Sequence, residues 1–284
     1  MRNIQYNEIA TTVKQLCIDC CYDLPADVLD ALKDAATNET NPRAIRILNQ
    51  VIENAAIAKQ DMIPLCQDTG LTVVFIEQGA DAVIQSPTGK TITDAINEGV
   101  TKAAVEGLLR KSIVSDPLND RPNTNTNAPA VIHHSVIPGD KLNITVMTKG
   151  GGCENKSQFK MFNPTEDKDT IIEWIVDVTK QAGANACPPF VIGVGIGGNF
   201  EKCCLISKKA LLGKTGRKNP DEYYAQMESQ LLEKINALGL GPQGLGGDTT
   251  ALAVHIETAP CHIASLPVAV NIECHSHRHK SCIL

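Results

Sequence analysis

Apolar residues near the start of the chain recur at the spacing of an amphipathic helix. Side chains three to five residues apart share one helical face, as do Ile4, Ile9, Val13, Leu16 and Cys20. Further on, Asn41 followed by Pro42 is typical of a helix start. Asparagine caps free N–H groups there, and proline fits the first helical position. The pattern therefore predicts helices from residue 4 to about residue 59.

Beyond residue 70 the pattern changes to short β-rich runs separated by helical segments. Strands are predicted at 71–79, at two runs within 131–149, at 190–198, at 251–257 and at 266–273. Helices are predicted at 91–113, about 167–182, 199–212 and 220–238. Pro138-Gly139-Asp140 separates the two runs within 131–149 and predicts a hairpin there.

The irregular order of these elements favours an α+β fold. A doubly wound parallel sheet needs regular alternation of strand and helix, which this chain lacks. We expect a helical N-terminal part packed on a part with a mainly antiparallel sheet. We predict one domain over residues 1–284, with a helical lobe at about 1–65 and an α+β lobe at about 66–284.

The composition argues against several classes of protein. A net charge of −6 disfavours binding to nucleic acid or to anionic membranes, which prefer basic surfaces. No run of about 18 apolar residues predicts a transmembrane helix, and the N-terminus lacks the apolar core of a secretory signal. The cysteine count of 11 is odd, which indicates a reducing compartment. We therefore expect a cytoplasmic protein.

Most of the cysteines are expected to be buried packing residues. Cys17, Cys20 and Cys21 lie inside the first predicted helix, where packing is favoured over a redox or zinc pair. Three others lie in loops with distinctive neighbours: Cys66, Cys187 and Cys274. Separations of 121 and 87 residues exclude a local zinc ribbon, whose ligands come in close pairs. Dispersed loop cysteines fit an iron–sulfur cluster with one iron lacking a protein ligand, although spacing alone leaves other triples open.

Two other motifs offer alternative chemistry. The glycines at 193, 195 and 198 follow the dinucleotide-binding spacing, but no second strand ending in an acidic residue follows. The run from Cys274 to His279 places histidines at alternate positions, so an extended strand there could bind zinc through them. Either motif could instead be structural.

The triple glycine of KGGGCENKS (149–157) follows a predicted strand. Consecutive glycines let a backbone approach a ligand closely and offer N–H donors. Together with Asn155 and Lys156, the loop favours carboxylate binding over a flexible turn.

Taken together, these loops resemble those of the class I iron–sulfur fumarate hydratases and the related L-tartrate dehydratases, specifically the α subunit of the two-subunit forms. The resemblance covers nearly the whole chain and is weakest over the first 40 residues. Cys153, where relatives commonly carry serine, departs from the family pattern, as do Cys203 and Cys204. The motifs that carry the resemblance are CQDTG (66–70), NTNTNAPA (123–130), KGGGCENKS (149–157), ACPPFVIGVGIGG (186–198), GLGPQGLGGDTTALAVHIE (239–257) and APCHIASLPVAVNIECHSHRH (259–279).

The resemblance implies roles for eight residues. Cys66, Cys187 and Cys274 match the ligands of a [4Fe–4S] cluster, held where the loops converge at one surface. Gln67, Arg110 and Gly152 match substrate-binding positions, with Arg110 holding a carboxylate. Asp68 also matches a substrate-contacting position, and His262 matches an active-site histidine. We expect these two residues to handle the proton of the substrate hydroxyl.

The implied activity is the reversible hydration of fumarate to L-malate. Dehydration of L-tartrate, or hydration of a methylated dicarboxylate, is the alternative within the family. A different class of function would be an iron–sulfur or zinc-binding sensor module. Single-chain relatives continue into a further domain that completes the active site. We therefore expect a separate β subunit, an α2β2-type assembly, and little activity from this chain alone.

Overall fold

A computed structural model describes the whole chain, residues 1–284, and confirms the α+β class. No helix is both long enough and apolar enough to cross a bilayer. The helices are α1 (Tyr6–Tyr22), α2 (Ala26–Asn38), α3 (Pro42–Asp61), α4 (Ile92–Glu106), α5 (Gly151–Glu154), α6 (Lys168–Ala182), α7 (Phe200–Ala210) and α8 (Glu222–Asn236). The strands are β1 (Arg2–Gln5), β2 (Leu71–Gly79), β3 (Ala82–Gln85), β4 (Val131–Ile137), β5 (Leu142–Lys149), β6 (Gln158–Phe162), β7 (Phe190–Gly197), β8 (Ala251–Ala259), β9 (Leu266–Glu273) and β10 (His279–Ile283).

The chain divides into two compact units that are interleaved along the sequence. The first unit comprises Met1–Pro25, Asn54–Gly151 and Arg278–Leu284. The second unit comprises Ala26–Glu53 and Gly152–His277. These ranges differ from the lobes at about 1–65 and 66–284 expected from the sequence. The expectation of one catalytic domain stays a prediction.

The first unit is built on a four-stranded sheet with strand order β10-β5-β2-β4. Helices α1 and α4 pack against each other, and α1 also contacts β5 and β10. Side chains at helical spacing on α1 are buried, among them Ile9, Val13 and Leu16. Cys17, Cys20 and Cys21 are buried in the same core, which confirms that they are packing residues.

The predicted hairpin at Pro138-Gly139-Asp140 is wrong. Strands β4 and β5 flank this turn but do not pair with each other, because β2 lies between them. β2 pairs in parallel with β4 and antiparallel with β5. The run VVFI of β2 is buried throughout, and a buried strand needs hydrogen-bonding partners on both edges. That demand places β2 between two strands that are neighbours in sequence.

The second unit holds a four-stranded sheet with strand order β6-β9-β7-β8. Helix α7 packs directly on β7. A Cβ atom added at Gly193 or Gly195 would lie 2.1 Å or 2.2 Å from a backbone oxygen of α7. Glycine is therefore required for the close approach of helix and strand. This packing role accounts for the glycine spacing that resembles a dinucleotide fingerprint.

One buried carboxylate organises a glycine-rich loop of the second unit. Glu39, only 6% exposed, follows α2 directly and accepts hydrogen bonds from four backbone N–H groups, one of which contacts both carboxylate oxygens. Its oxygens accept from Thr40 and Asn41 on their own segment, and from Asp248 and Thr249 in the loop before β8. Such bonds to an ionised acceptor are stronger than neutral ones. The carboxylate thus fixes the GLGGDTT turn.

We predict that Glu39→Gln destabilises the protein by about 1–3 kcal/mol, because the amide nitrogen cannot accept and leaves buried N–H groups unsatisfied. Denaturant unfolding of the purified chain measures this difference in free energy. The matched control is Glu53→Gln at an exposed position of α3, which should change stability by less than about 0.5 kcal/mol. Equal stability of the two variants would contradict the role assigned to Glu39.

Candidate functional site

The PLCQDTG loop (64–70) is anchored to helices of the first unit just before Cys66. The backbone N–H of Leu65 donates to the Cys21 carbonyl at 2.7 Å. The amide of Asn54 donates to the Leu65 carbonyl at 2.9 Å. Cys66 then lies partly exposed, with its thiol outside any disulfide and its Sγ 3.4 Å from Gln67 Oε1. The anchoring presents a thiol and an amide side by side on a fixed backbone.

Asp68 connects this loop to the start of the glycine loop. Its Oδ1 accepts from the N–H of Gly70 at 3.0 Å, and its Oδ2 accepts from the N–H of Gly151 at 2.8 Å. The Asp68 carbonyl in turn accepts from Nη1 of Arg278 at 2.8 Å. Arg278 is only 1% exposed, so the loop is held by a hydrogen bond from a buried guanidinium. Asp68 therefore positions backbone groups as well as presenting a carboxylate.

The segment that carries Arg110 is attached to the same loop. Thr69 Oγ1 donates to the Arg110 carbonyl at 3.1 Å. Asn127, which is buried, donates through Nδ2 to the Gly70 carbonyl at 3.3 Å and accepts from the Ser112 N–H at 2.9 Å. The Arg110 side chain is exposed.

The first unit thus brings together four of the predicted site residues: Cys66, Gln67, Asp68 and Arg110. Asn127, which hydrogen-bonds both segments, belongs to the NTNTNAPA motif, but the sequence alone does not assign it a role.

In the second unit, Cys187 and Cys274 lie on neighbouring segments. The N–H of His275 donates to the Cys187 carbonyl at 3.3 Å, and His275 Nδ1 is 3.1 Å from the same oxygen. The N–H of Gln243 donates to the Pro188 carbonyl at 2.8 Å, which holds the ACPP segment against the GPQG turn. Both thiols are outside disulfides. Two of the three predicted ligands are therefore brought together.

The remaining predicted site residues of the second unit are Gly152 and His262, both exposed. His262 lies in the turn between β8 and β9, where its Nδ1 accepts from the N–H of Ala264 at 3.1 Å. In the neutral ring this assigns the proton to Nε2, which leaves an N–H donor on an exposed imidazole. A Cβ added at Gly152 would lie 3.2 Å from the Asn185 carbonyl oxygen.

The alternative of a histidine-based zinc site at residues 274–279 required an extended strand there, and this expectation is wrong. The segment between β9 and β10 is not a strand, so alternate residues do not share a face. His277 Nε2 lies 2.7 Å from the Leu211 carbonyl, whereas His275 Nδ1 lies near the Cys187 carbonyl. These imidazoles therefore tie the turn to main-chain atoms at separate places.

A group of donors that had not been expected lies beside Cys274. The Sγ atoms of Cys153 and Cys274 and a carboxylate oxygen of Glu273 all lie within 4.8 Å of one another. In the sequence, Cys153 stands out only as a departure from a family pattern, and Glu273 belongs to no recognised motif. The largely apolar run of β9 could have indicated that Glu273 ends a buried strand, since seven residues of this strand are buried in succession.

The donor set fits an iron–sulfur cluster. Such clusters are held by cysteine thiolates in loops, and three thiolates leave one iron without a protein ligand. Cys66, Cys187 and Cys274 lie outside disulfides, and each follows or precedes a backbone segment fixed by hydrogen bonds. By contrast, burial raises the pKa of the Cys17, Cys20 and Cys21 thiols, which makes these three poor sources of thiolate.

Comparison with known proteins places the chain among hydro-lyase relatives. Residues 10–283 match the family described as fumarate hydratase (Fumerase). A putative L(+)-tartrate dehydratase subunit alpha from Methanocaldococcus jannaschii is 40% identical over 275 residues, which cover 95% of this chain and 95% of that protein. The L(+)-tartrate dehydratase subunit alpha from Escherichia coli strain K12 is 32% identical over 263 residues, which cover 92% of this chain and 86% of that protein.

We predict that alkylation of the native, metal-free chain discriminates loop cysteines from helix cysteines. Cys66 and Cys261 should react at least about tenfold faster than Cys17, Cys20 and Cys21, because burial limits access and each unit of raised pKa lowers the thiolate fraction about tenfold. Peptide mass spectrometry after timed iodoacetamide treatment measures the rates. The denatured chain, in which all eleven cysteines should react alike, is the control. Rapid native labelling of the α1 cysteines would overturn this assignment.

Proposed function

The chain belongs to the fumarate hydratase family, and on this premise we propose that it is the α subunit of an iron–sulfur hydro-lyase that reversibly hydrates fumarate to L-malate. The observation that carries the proposal is the attachment of the Arg110 segment to the loop that holds Cys66, Gln67 and Asp68. A cluster-binding sensor would need the cysteine but has no need of an arginine, a carboxylate and an amide beside it.

Three cysteines would hold the [4Fe–4S] cluster: Cys66, Cys187 and Cys274. When bound, the cluster supplies an iron with an open coordination position, which acts as a Lewis acid toward the substrate hydroxyl and a carboxylate oxygen. Gln67 lies next to the first of these ligands and is exposed, so its amide is available to hydrogen-bond the substrate.

The substrate carboxylates need cationic and N–H partners. The planar guanidinium of Arg110 can pair with a carboxylate through two parallel hydrogen bonds. The backbone at Gly152 offers an N–H donor in an exposed stretch that has no side chain to block a ligand. Fixing the carboxylates converts binding energy into orientation of the carbon atoms that react.

Asp68 and His262 would handle the proton on the hydroxyl oxygen. Each Asp68 oxygen accepts one backbone N–H and keeps a second lone pair for a substrate or water proton. In the hydration direction the carboxylate accepts the proton that water loses, and in dehydration it returns that proton to the leaving oxygen. The Nε2–H of His262 would donate to the same oxygen or to a carboxylate. The base that acts on carbon is assigned to the partner subunit.

A second candidate substrate is L-tartrate. The relatives that are 40% and 32% identical to this chain are named as L(+)-tartrate dehydratase alpha subunits. L-Tartrate differs from L-malate by one additional hydroxyl group, so the same carboxylate-binding residues would serve both. A methylated C4 dicarboxylate is a third possibility for the same pocket.

The partner is proposed to be a β subunit that completes the active site in an α2β2-type complex. The names of the relatives, each a subunit alpha, support a heteromeric enzyme. The proposed compartment is the cytoplasm, where reduced thiols persist.

We predict that Asp68→Asn lowers kcat of the anaerobically reconstituted α–β complex by about 10²–10⁴-fold, because an amide cannot exchange the hydroxyl proton. Turnover is measured as the rate at which the complex forms the unsaturated product from L-malate or the keto product from L-tartrate. The chain alone should be nearly inactive.

Asp61→Asn, at an exposed aspartate near the end of α3, is the matched control and should retain full turnover. Iron content per chain must be equal in the compared proteins. If Asp68→Asn kept normal turnover with an intact cluster, the proton-handling role would be wrong. If the complex dehydrated neither substrate, the proposed reaction would be wrong.

A further inference from the structure

Cys153, Glu273 and Cys274 form a thiol–carboxylate group within the second unit. Cys153 lies on the short helix α5, directly after the three glycines at 150–152. Glu273 is the last residue of β9. All three residues are buried, with exposures of 3%, 0% and 8%. Gly152, the residue before Cys153, is exposed. Two sulfurs and a carboxylate in one place are the donor types that zinc prefers.

The two S···O distances within this group are close to the edges of a zinc tetrahedron. Glu273 Oε1 is 3.4 Å from Cys153 Sγ and 3.8 Å from Cys274 Sγ. With Zn–S near 2.3 Å and Zn–O near 2.0 Å, tetrahedral geometry requires S···O edges of about 3.5 Å and an S···S edge of about 3.8 Å. The whole group fits within 4.8 Å. The three donors therefore need only small shifts to share one ion.

Neighbouring groups hold the donors in this arrangement. The N–H of Cys274 donates to Glu273 Oε1 at 3.2 Å, and Ser276 Oγ lies 3.3 Å from Cys274 Sγ. Contacts of this kind orient ligands and are a regular part of metal sites.

We propose that Cys153, Glu273 and Cys274 form a mononuclear site for a zinc-class divalent ion, with water in the fourth position. Binding replaces the protons of the two thiols: one Zn²⁺, two thiols and one carboxylate give the tri-ligated ion and two released protons. No electrons are transferred, so no oxidant or reductant is needed. Affinity should fall as pH decreases, because protons compete for the thiolates.

The site shares Cys274 with the proposed cluster, so one chain holds either the zinc ion or the cluster. This exclusion rests on the proposed function, whereas the zinc site itself does not. A chain that captures zinc before its cluster is assembled would be blocked until the ion is removed.

The competing explanation is that the thiols only donate weak hydrogen bonds to Glu273. In that case the same short distances arise without a metal. The two explanations differ in whether the full-length, metal-free chain takes up one equivalent of zinc, and in which cysteines are required for it.

The experiment titrates the anaerobically prepared, metal-free chain with Zn²⁺ and, separately, with Co²⁺, whose absorption reports tetrahedral thiolate ligation. The wild-type chain should bind one equivalent, release two protons and gain thermal stability on adding zinc. Cys153→Ser should weaken zinc binding by more than about 100-fold. Cys66→Ser should retain zinc binding, since Cys66 belongs to the cluster set and not to this group. Cys204→Ser, at a half-buried cysteine of α7, is the matched control and should also retain it.

Cys153→Ala provides a second variant at the same position, and thermal melting without metal verifies that both variants fold. Zinc binding that survives Cys153→Ser and Cys153→Ala would overturn the proposal. So would a wild-type chain that binds no zinc, or a requirement for Cys66. Iron reconstitution of Cys153→Ser is a separate experiment. Normal iron uptake by this variant shows that the zinc site and the cluster site differ. Failure of iron uptake in the wild type and in every variant would count against the cluster and not against the zinc site.

Discussion

The hydrogen bonds that Asp68 accepts hold together the part of the first unit on which the proposed chemistry depends. Its two carboxylate oxygens accept from the N–H groups of Gly70 and Gly151, and its carbonyl accepts from the buried guanidinium of Arg278. These bonds add to the pairing of Leu71 with Lys149, which already aligns the end of the PLCQDTG loop with the segment before the three glycines. Loops are usually the mobile part of a protein, so a loop that presents ligands needs such internal support. The interaction makes Asp68 both a scaffold and a candidate proton carrier.

Much of this architecture could be predicted from the pattern of the sequence. The strand at 71–79 and the helices beginning near residues 92, 168, 200 and 222 agree with the structure, because their apolar periodicity is strong. Strand pairing could not be predicted in the same way. β4 and β5 are joined by a turn sequence typical of a hairpin, yet β2 lies between them. The residues of this turn carry no information about β2, which ends about 60 residues earlier and requires two partner strands.

The buried polar groups were the other feature beyond sequence reasoning. Glu39, Asn127, Glu273 and Arg278 belong to residue types that are mostly exposed in proteins, yet each is buried. A buried charge is tolerated only where specific donors or acceptors meet it, and these come from distant segments. For Glu39 two of the four donors, Asp248 and Thr249, are more than 200 residues away, in the loop before β8. The candidate cysteines and Arg110 were identified through resemblance to a family, whereas their supports became evident only from the fold.

The most direct test of the account is the iron and acid-labile sulfide content of the anaerobically purified chain, compared between wild type and Cys66→Ser. Three dispersed cysteines that hold a [4Fe–4S] cluster predict about four irons and four sulfides per chain in the wild type, with a brown colour that is lost in the variant. A wild-type chain that remains colourless and free of iron after anaerobic reconstitution would contradict the account. So would a cluster that persists unchanged in Cys66→Ser.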